Sequence, residues 1–187
     1  MDAQGVELFQ RAQAGFTDRV DAVEREQWDA VALPGWDVAD LVAHLIGEQL
    51  WVPVLLAGEA VGDQVPTDTE LLVAGDPLGS WEAAADAALT AWVRPDAVRT
   101  VLLSAGPTPA ADYLAELTVD LTVHTWDLAR AVGADPRPDD ALVEAGLTYA
   151  ARRLGPDGIP GLVAPPLEVG PDADPLTRLL AAFGRRA

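Results

Sequence analysis

Hydrophobic positions recur at intervals of three and four residues through most of the chain, a spacing typical of amphipathic helices. The pattern predicts five main helices and one short helix. Asp37 and Thr108 stand where two of them need N-caps, Pro109 takes the first helical position after Thr108, and Gly133 closes that helix. The predicted ranges are 6–26, 37–57, 80–93, 108–133, 139–154 and, for the short helix, 175–183.

Two stretches lack this periodicity. Residues 58–79 are rich in Gly, Pro and Asp and predict a long connection. Residues 98–104 are β-prone and end at a turn that contains Ser104, so they predict a short strand or an extended loop. The predicted class is therefore all-α: a four-helix bundle with one long crossover connection and additional C-terminal helices. A single domain is expected over residues 1–187, with its core at about 3–155 and residues 156–187 wrapped over the surface.

Both histidines of the chain fall within the apolar stripe of a predicted helix. His124 is flanked by Asp120 one turn before it and Asp127 one turn after it, in a stripe that holds Leu114, Leu117, Leu121 and Leu128. His44 occupies the same kind of place in the second helix, where the stripe holds Leu41, Glu48, Trp51 and Leu55 and Asp40 lies one turn before the histidine. Both imidazoles are predicted to point into the bundle, from helices that could face each other.

Carboxylates beside these histidines require an explanation, because a buried charge is destabilising unless it is paired or binds a metal. Carboxylates and imidazoles that converge from facing helices are how helical bundles build metal sites. Hydrogen bonds between each histidine and its neighbouring carboxylate would also satisfy the same groups. The pattern therefore leaves two interpretations open, a metal site or a hydrogen-bonded polar core.

The charge of the chain narrows the class of partner. Thirty acidic and twelve basic residues give a formal charge of -18, and such a field repels phosphate backbones, so no nucleic-acid partner is expected. No apolar run approaches the roughly 20 residues that span a bilayer. The first residues also lack the basic flank and apolar stretch of a secretory signal. No membrane partner and a cytoplasmic location are expected, and a homodimer is left open.

The missing residue types restrict the chemistry further. The chain has no cysteine and no lysine, which excludes a protein thiolate and a Schiff-base lysine. Its two serines, Ser80 and Ser104, both lie outside a G-x-S-x-G context. Any reaction would therefore depend on His44, His124, the carboxylates, a bound metal or an external reagent.

Two segments, GWDVADLVAHLIGEQLW and LTVDLTVHTWDLARAVG, resemble the DinB/YfiT-like superfamily. More narrowly, they resemble the actinobacterial metal-binding proteins related to mycothiol-dependent maleylpyruvate isomerase, and the likeness covers nearly the whole chain. It implies a DinB-like four-helix bundle that holds a divalent metal through His44, Asp120 and His124. The isomerase has glutamate at the position of Asp120, and it carries a second C-terminal domain for which 187 residues leave no room. Zinc is the expected metal, with nickel, iron and manganese as alternatives.

Four further residues are candidates around such a site. Glu48 is a candidate fourth ligand or general base. Asp127 is a candidate to orient a ligand, and the alternative is a surface pair with Arg130. Trp51 and Trp126 are candidates to line a cofactor pocket beside the metal, although aromatic residues at this spacing also occur as ordinary core residues.

Three functions are compatible with this sequence. The first is a metal-dependent transferase or isomerase-like enzyme that uses a small-molecule thiol, mycothiol, as cosubstrate against an electrophilic substrate. The second is a metal-dependent hydrolase that uses metal-bound water. The third is a non-catalytic protein that binds a metal or a small ligand. The family resemblance favours the first.

Overall fold

The computed structural model describes residues 2–60, 65–159 and 162–187. Within these ranges the protein is mostly helical, with two small antiparallel sheets. The prediction of a mostly helical protein is confirmed. The two small sheets mean that the protein is not strictly all-α. The helices are α1 (Ala3–Asp21), α2 (Val38–Leu56), α3 (Thr69–Val73), α4 (Pro77–Val93), α5 (Ala110–Val132), α6 (Asp140–Arg153) and α7 (Pro175–Ala182), with a short 3-10 helix at Arg25–Gln27. The strands are β1 (Val31–Leu33), β2 (Trp36–Asp37), β3 (Thr100–Leu103) and β4 (Gly106–Pro109), paired β1 with β2 and β3 with β4.

The four long helices α1, α2, α4 and α5 enclose the main core. Helices α1 and α2 each pack against both α4 and α5. Edge-to-face contacts between aromatic side chains join α1 to α4, with Phe9 against Trp92 and Phe16 against Trp81. All four rings are buried, and burial of each such side chain stabilises the fold by roughly 1.5–3 kcal/mol. Helices α2 and α5, which carry the histidines, also contact each other.

A capping box begins α2, and Asp37 is its N-cap, as the sequence predicts. The Asp37 carboxylate accepts a hydrogen bond from the Asp40 backbone N–H at 2.8 Å, and the Asp40 carboxylate accepts one from the Asp37 backbone N–H at 3.4 Å. Thr69 donates its hydroxyl to the other oxygen of Asp40 at 3.1 Å. Asp40 is therefore committed to the start of the helix and does not join the histidines.

The connection predicted for residues 58–79 contains more helix than expected. The Asp68 side chain caps the short helix α3, and the Asp76 side chain caps α4, which begins at Pro77 rather than at residue 80. Both corrections have one cause, an aspartate placed just before a helical turn whose free N–H groups it can satisfy. The part of this connection at 61–64 lies outside the described residues.

The extended segment before α5 is a hairpin, because β3 pairs with β4 in regular antiparallel register. The prediction that Thr108 is the N-cap of α5 was wrong. It lies within β4, its hydroxyl donates to the Gly106 carbonyl at 3.1 Å, and Pro109 takes the cap position without a side-chain bond. Gly133 does close α5, with the left-handed φ of 74° that a glycine adopts without strain.

The ends of α1 and the C-terminal segment complete the fold. Helix α1 ends at Asp21 rather than near residue 26, and the 3-10 helix follows as a separate turn. Helix α6 begins and ends close to the predicted range, and the Asp139 side chain caps it. Helix α7 packs on α6, and α6 on α5, around a second apolar cluster that contains Val119, Val123, Val143, Ala150, Leu179 and Phe183. Residues 160–161 of the predicted surface wrap lie outside the described residues.

Among the described residues, α2 is the one helix long and apolar enough to cross a membrane, with a mean hydropathy of 1.3. More than half of that stretch, 56%, is buried inside the protein. Its apolar side chains face α4 and α5, so α2 is accounted for as a core helix.

A candidate metal centre between two helices

Helices α2 and α5 bring the three predicted ligands together. His44 comes from α2, and Asp120 and His124 come from successive turns of α5. One candidate ligand atom from each residue lies within 4.8 Å of the others. His44 Nε2 is 3.5 Å from Asp120 Oδ2, His124 Nε2 is 3.4 Å from Asp120 Oδ1, and the two imidazole rings are centred 5.4 Å apart. Helical spacing brings the α5 pair together, and the packing of α2 on α5 adds the third residue.

The cluster has donor atoms that fit a divalent cation. Asp120 Oδ2 is buried and lacks a hydrogen-bond partner, which is an unfavourable state that a bound cation would relieve. His124 is buried, whereas the His44 and Asp120 side chains are 30% and 34% exposed and face an open space. Two imidazole nitrogens with one carboxylate form a donor set that suits zinc, nickel, iron or manganese and leaves a position for a further ligand.

The two α5 residues shift each other's protonation. Burial by itself lowers the pKa of His124, but the charge of Asp120 and hydrogen bonds to Asp120 and Asp127 raise it to about 9. Burial by itself raises the pKa of Asp120, but the adjacent His124 and His44 hold it well below its usual range. Without a metal, the pair is therefore an ion pair, and a cation that binds through both residues must displace the proton of His124.

Asp127 holds the far side of His124. Its carboxylate is buried, with Oδ2 at 3.0 Å from His124 Nδ1 and at 2.9 Å from Arg185 Nη2. A carboxylate at Nδ1 stabilises the tautomer that carries its proton there, which leaves Nε2 free to bind a metal. Asp127 is therefore in a position to orient His124, and its buried carboxylate pairs with Arg185 rather than with Arg130.

Arg130 lies on the outer face of α5. Its guanidinium stands 4.9 Å above the Trp126 ring, and it donates to the Arg186 carbonyl at 3.2 Å. Trp126 lines a separate cavity of about 280 Å³ on this face, which adjoins the cavity at the cluster through Leu33 and Arg185. The candidate cofactor-pocket residue Trp126 therefore does not line the cavities at the histidines.

Two cavities of about 360 Å³ each meet at the cluster. Trp36, His44 and Glu48 line both of them. The first cavity opens over Asp120 and His124, and the second lies against α3 and includes the predicted Trp51. The remaining residues that line the first cavity are Leu33, Glu116, Leu117, Val119, Val123, Tyr149, Ile159, Leu162, Val163, Phe183 and Arg185.

Glu48 lies beside the cluster without belonging to it. Burial raises the pKa of Glu48 to about 8, and the negative charges of Asp120 and Glu116 add to the shift. Glu116 also has a raised pKa, chiefly because of burial. A carboxyl group whose pKa lies near neutral pH can both hold and release a proton, and such groups in the wall of a cavity are typical of functional sites.

Two residues at the site were missed by the sequence analysis. Trp36 places its ring 5.0 Å from that of His44 and nearly parallel to that of His124 at 6.4 Å, so it covers both imidazoles. A tryptophan directly before a helix cap is a usable signal, because such a residue folds back over the first turns of the helix. Arg185 lies 58 residues after Asp127, and no spacing rule connects residues so far apart.

Fold and site together define a mostly helical protein with a histidine–aspartate–histidine cluster between two core helices, at the floor of a cavity. Residues 9–129 match the family described as the mycothiol maleylpyruvate isomerase N-terminal domain. The chain belongs to this family, which confirms the resemblance read from its two histidine-bearing segments.

Relatives and solved structures agree with this assignment. Two uncharacterized proteins of Mycobacterium tuberculosis, from different strains, are each 28% identical to the chain over 150 residues, which is 79% of this chain and 78% of the relative. A crystal structure of the mycothiol-dependent maleylpyruvate isomerase shares the fold with a TM-score of 0.61 at 17% identity, over 79% of this chain and 68% of that one. A histidine-to-alanine mutant of that isomerase gives a TM-score of 0.61 at 16% identity, over 82% and 73%.

Proposed function

We propose that this protein is a metal-dependent enzyme, a transferase or isomerase, that uses an external thiol of the mycothiol type against an electrophilic small molecule. The observation that carries the proposal is the convergence of His44, Asp120 and His124 at the floor of a cavity. The chain has no cysteine or lysine to serve as a nucleophile of its own. Membership of a family named after a mycothiol enzyme supports the choice of thiol.

The proposed metal is zinc, with nickel, iron or manganese as alternatives, held by His44 Nε2, His124 Nε2 and an oxygen of Asp120. A divalent cation in this position would supply positive charge that lowers the pKa of an external thiol and holds its thiolate. The chain needs such a charge, because a surface of net charge -18 does not attract anions by itself.

The residues around the cluster have separate roles in this proposal. Asp127 holds the Nδ1 proton of His124 and so orients Nε2 toward the metal. Glu48, with its raised pKa, carries a proton near neutral pH and serves as the acid or base at the cavity wall. Trp36 covers the imidazoles and limits the access of water. Trp51 contributes a wall of the second cavity, where part of a cosubstrate would lie.

We extend the proposal to the architecture. The four long helices, each in contact with two others, support a DinB-like four-helix bundle as one domain over residues 1–187. The cytoplasm, where low-molecular-weight thiols are kept reduced, suits such an enzyme.

Calorimetric titration of mycothiol into zinc-loaded and metal-free protein tests the function. We expect about one zinc per chain after dialysis and mycothiol binding to the zinc-loaded form only. The His124→Ala variant should bind neither zinc nor mycothiol. Asp112→Asn, at a partly exposed position of the same helix, is the control and should bind both. Equal binding of mycothiol to both forms, or to neither, would refute the thiol role. Thiol-independent ester or amide cleavage would then favour the hydrolase.

A further inference from the structure

The first cavity has few positive charges to offer a substrate. Glu48, Glu116 and Asp120 contribute carboxyl groups to its wall, and Arg185 is the only arginine or lysine among the described residues that line it. Without a metal, protonated His124 is already paired with Asp120. No arginine or lysine occurs in the segments that the structure does not describe, which are residues 1, 61–64 and 160–161. An anionic substrate would therefore depend on Arg185 or on the metal.

Arg185 is already engaged. Its Nε and Nη2 lie 3.5 and 2.9 Å from the two oxygens of Asp127, and its Nη1 donates to the Phe183 carbonyl at 2.8 Å. All three nitrogens thus have protein partners, and the guanidinium charge is balanced by a buried carboxylate. A substrate carboxylate could recruit Arg185 only if Asp127 lost its partner, and a buried unpaired charge is strongly unfavourable.

A second arginine acts on residues of the cavity wall without offering its charge to the cavity. Arg153 is exposed on α6 and does not line the cavity. Its charge acts on Glu116 and Tyr149, where it opposes the burial that raises the pKa of both groups. Arg153 therefore faces a carboxyl group of the cavity wall rather than the cavity itself.

Part of the cavity wall is hydrocarbon. It is formed by α5 together with the C-terminal segment, and its residues are Leu117, Val119, Val123, Ile159, Leu162, Val163 and Phe183. Apolar surface of this kind stabilises a bound apolar group by about 25 cal/mol for each Å² removed from water. A pocket of about 360 Å³ holds a small organic molecule.

The metal adds no surplus charge under the function proposed above, on which this inference rests. The two positive charges of a divalent ion would be balanced by Asp120 and by the bound thiolate. A carboxylate of the second substrate would then have no free cation among the described lining residues, and a buried charge without a partner is unfavourable.

We infer that the second substrate is an uncharged electrophile with an apolar body, and that this protein does not act on dicarboxylates such as maleylpyruvate. The uncharged substrate places its apolar body against the hydrocarbon wall formed by α5 and the C-terminal segment. Its reactive carbon then faces the cluster.

Equilibrium dialysis with two matched probes tests this inference. Methyl 3-phenylpropanoate and 3-phenylpropanoate share one body, lack a reactive double bond and differ in charge. Both are dialysed against metal-free protein and against zinc-loaded protein saturated with mycothiol. We expect the ester to bind about tenfold more tightly than the acid in each form. Equal or tighter binding of the acid, or no retention of either probe at millimolar concentration, overturns the inference.

Two variants locate the binding. Leu162 is 78% exposed and lines the cavity, so Leu162→Ala should fold normally and weaken ester binding about threefold. Leu102→Ala, at an exposed leucine of the β3–β4 hairpin, is the control and should have no effect. Equal losses in both variants would place the ester elsewhere and overturn the inference. The metal-free arm needs no thiol, so it stays decisive if mycothiol fails to bind and the proposed function falls.

Discussion

His124 and Asp127 form a buried contact in which the imidazole Nδ1 lies 3.0 Å from Oδ2 of the carboxylate. The contact spans less than one turn of α5 and gives the ring a fixed direction, with Nε2 turned toward Asp120. Arg185 holds the same carboxylate from the C-terminal segment. The orientation of His124, a predicted metal ligand, therefore depends through Asp127 on Arg185, which lies 58 residues after Asp127 in the chain.

Asp127→Asn should weaken zinc binding about tenfold, because the amide orients His124 less strongly and leaves its imidazole a poorer ligand. Competition with a chromophoric chelator at pH 7.5 measures this affinity. Asp112→Asn, on the same helix and in a partly exposed ion pair with Arg152, is the matched control and should bind zinc as the wild type does. Unchanged affinity in the Asp127 variant would show that the contact does not support the metal.

The choice of carboxylate ligand is tested by two alanine variants. Asp120→Ala should weaken zinc binding by at least about tenfold, since it removes one of three donors. Asp40→Ala should leave zinc affinity unchanged and should instead lower the free energy of unfolding by about 1 kcal/mol, because Asp40 belongs to the capping box of α2. Zinc titration and urea unfolding of both variants separate the two effects. The reverse ordering of zinc affinities would identify Asp40 as the ligand.

The raised pKa of Glu48 predicts that the stability of the metal-free protein depends on pH. Its pKa is about 8 in the folded state and 4.5 as the ordinary value, so the folded protein keeps a proton that the unfolded chain releases between these pH values. The free energy of unfolding contributed by this group is therefore greatest below pH 4.5 and falls as the pH rises through about 8.

Glu48→Gln removes that penalty and should raise the free energy of unfolding at pH 8.5 by about 1–3 kcal/mol, with little difference from wild type at pH 4.5. Urea unfolding at both pH values provides the measurement. Glu82→Gln, at an exposed position of α4, should show no such difference. A stabilisation of equal size at both pH values would contradict a role of ionisation.

The docking of α7 on α6 is tested at a glycine. A Cβ at Gly146 would lie 2.8 Å from Cδ1 of Leu179, a fully buried side chain, so Gly146→Ala should lower the free energy of unfolding by about 1–3 kcal/mol. Gly47→Ala is the control, because a Cβ there meets nothing within 4 Å in helix α2 and should stabilise by about 0.5–1 kcal/mol. Stabilisation by both substitutions would show that Leu179 yields without cost.

The elements that follow local rules were predictable. The capping residue Asp37 and the closing Gly133 were predicted because caps depend on residues only a few positions apart. The prediction for Thr108 was wrong for the same reason. A threonine before a proline fits the local pattern of a helix cap even when, as here, it belongs to a paired strand. Helix α3 was missed because five residues are too short to show a period.

The sequence by itself determined that Asp120 and His124 share one face of α5, because residues four apart in a helix lie one turn apart. It also indicated that His44 points into the core and that no protein thiol or lysine is present. Only the tertiary structure decided that His44 Nε2 lies 3.5 Å from Asp120, that Trp36 covers both imidazoles and that Arg185 engages Asp127. These relationships depend on how helices rotate and pack against one another, which is set by the sum of many weak side-chain contacts rather than by the spacing of any few residues.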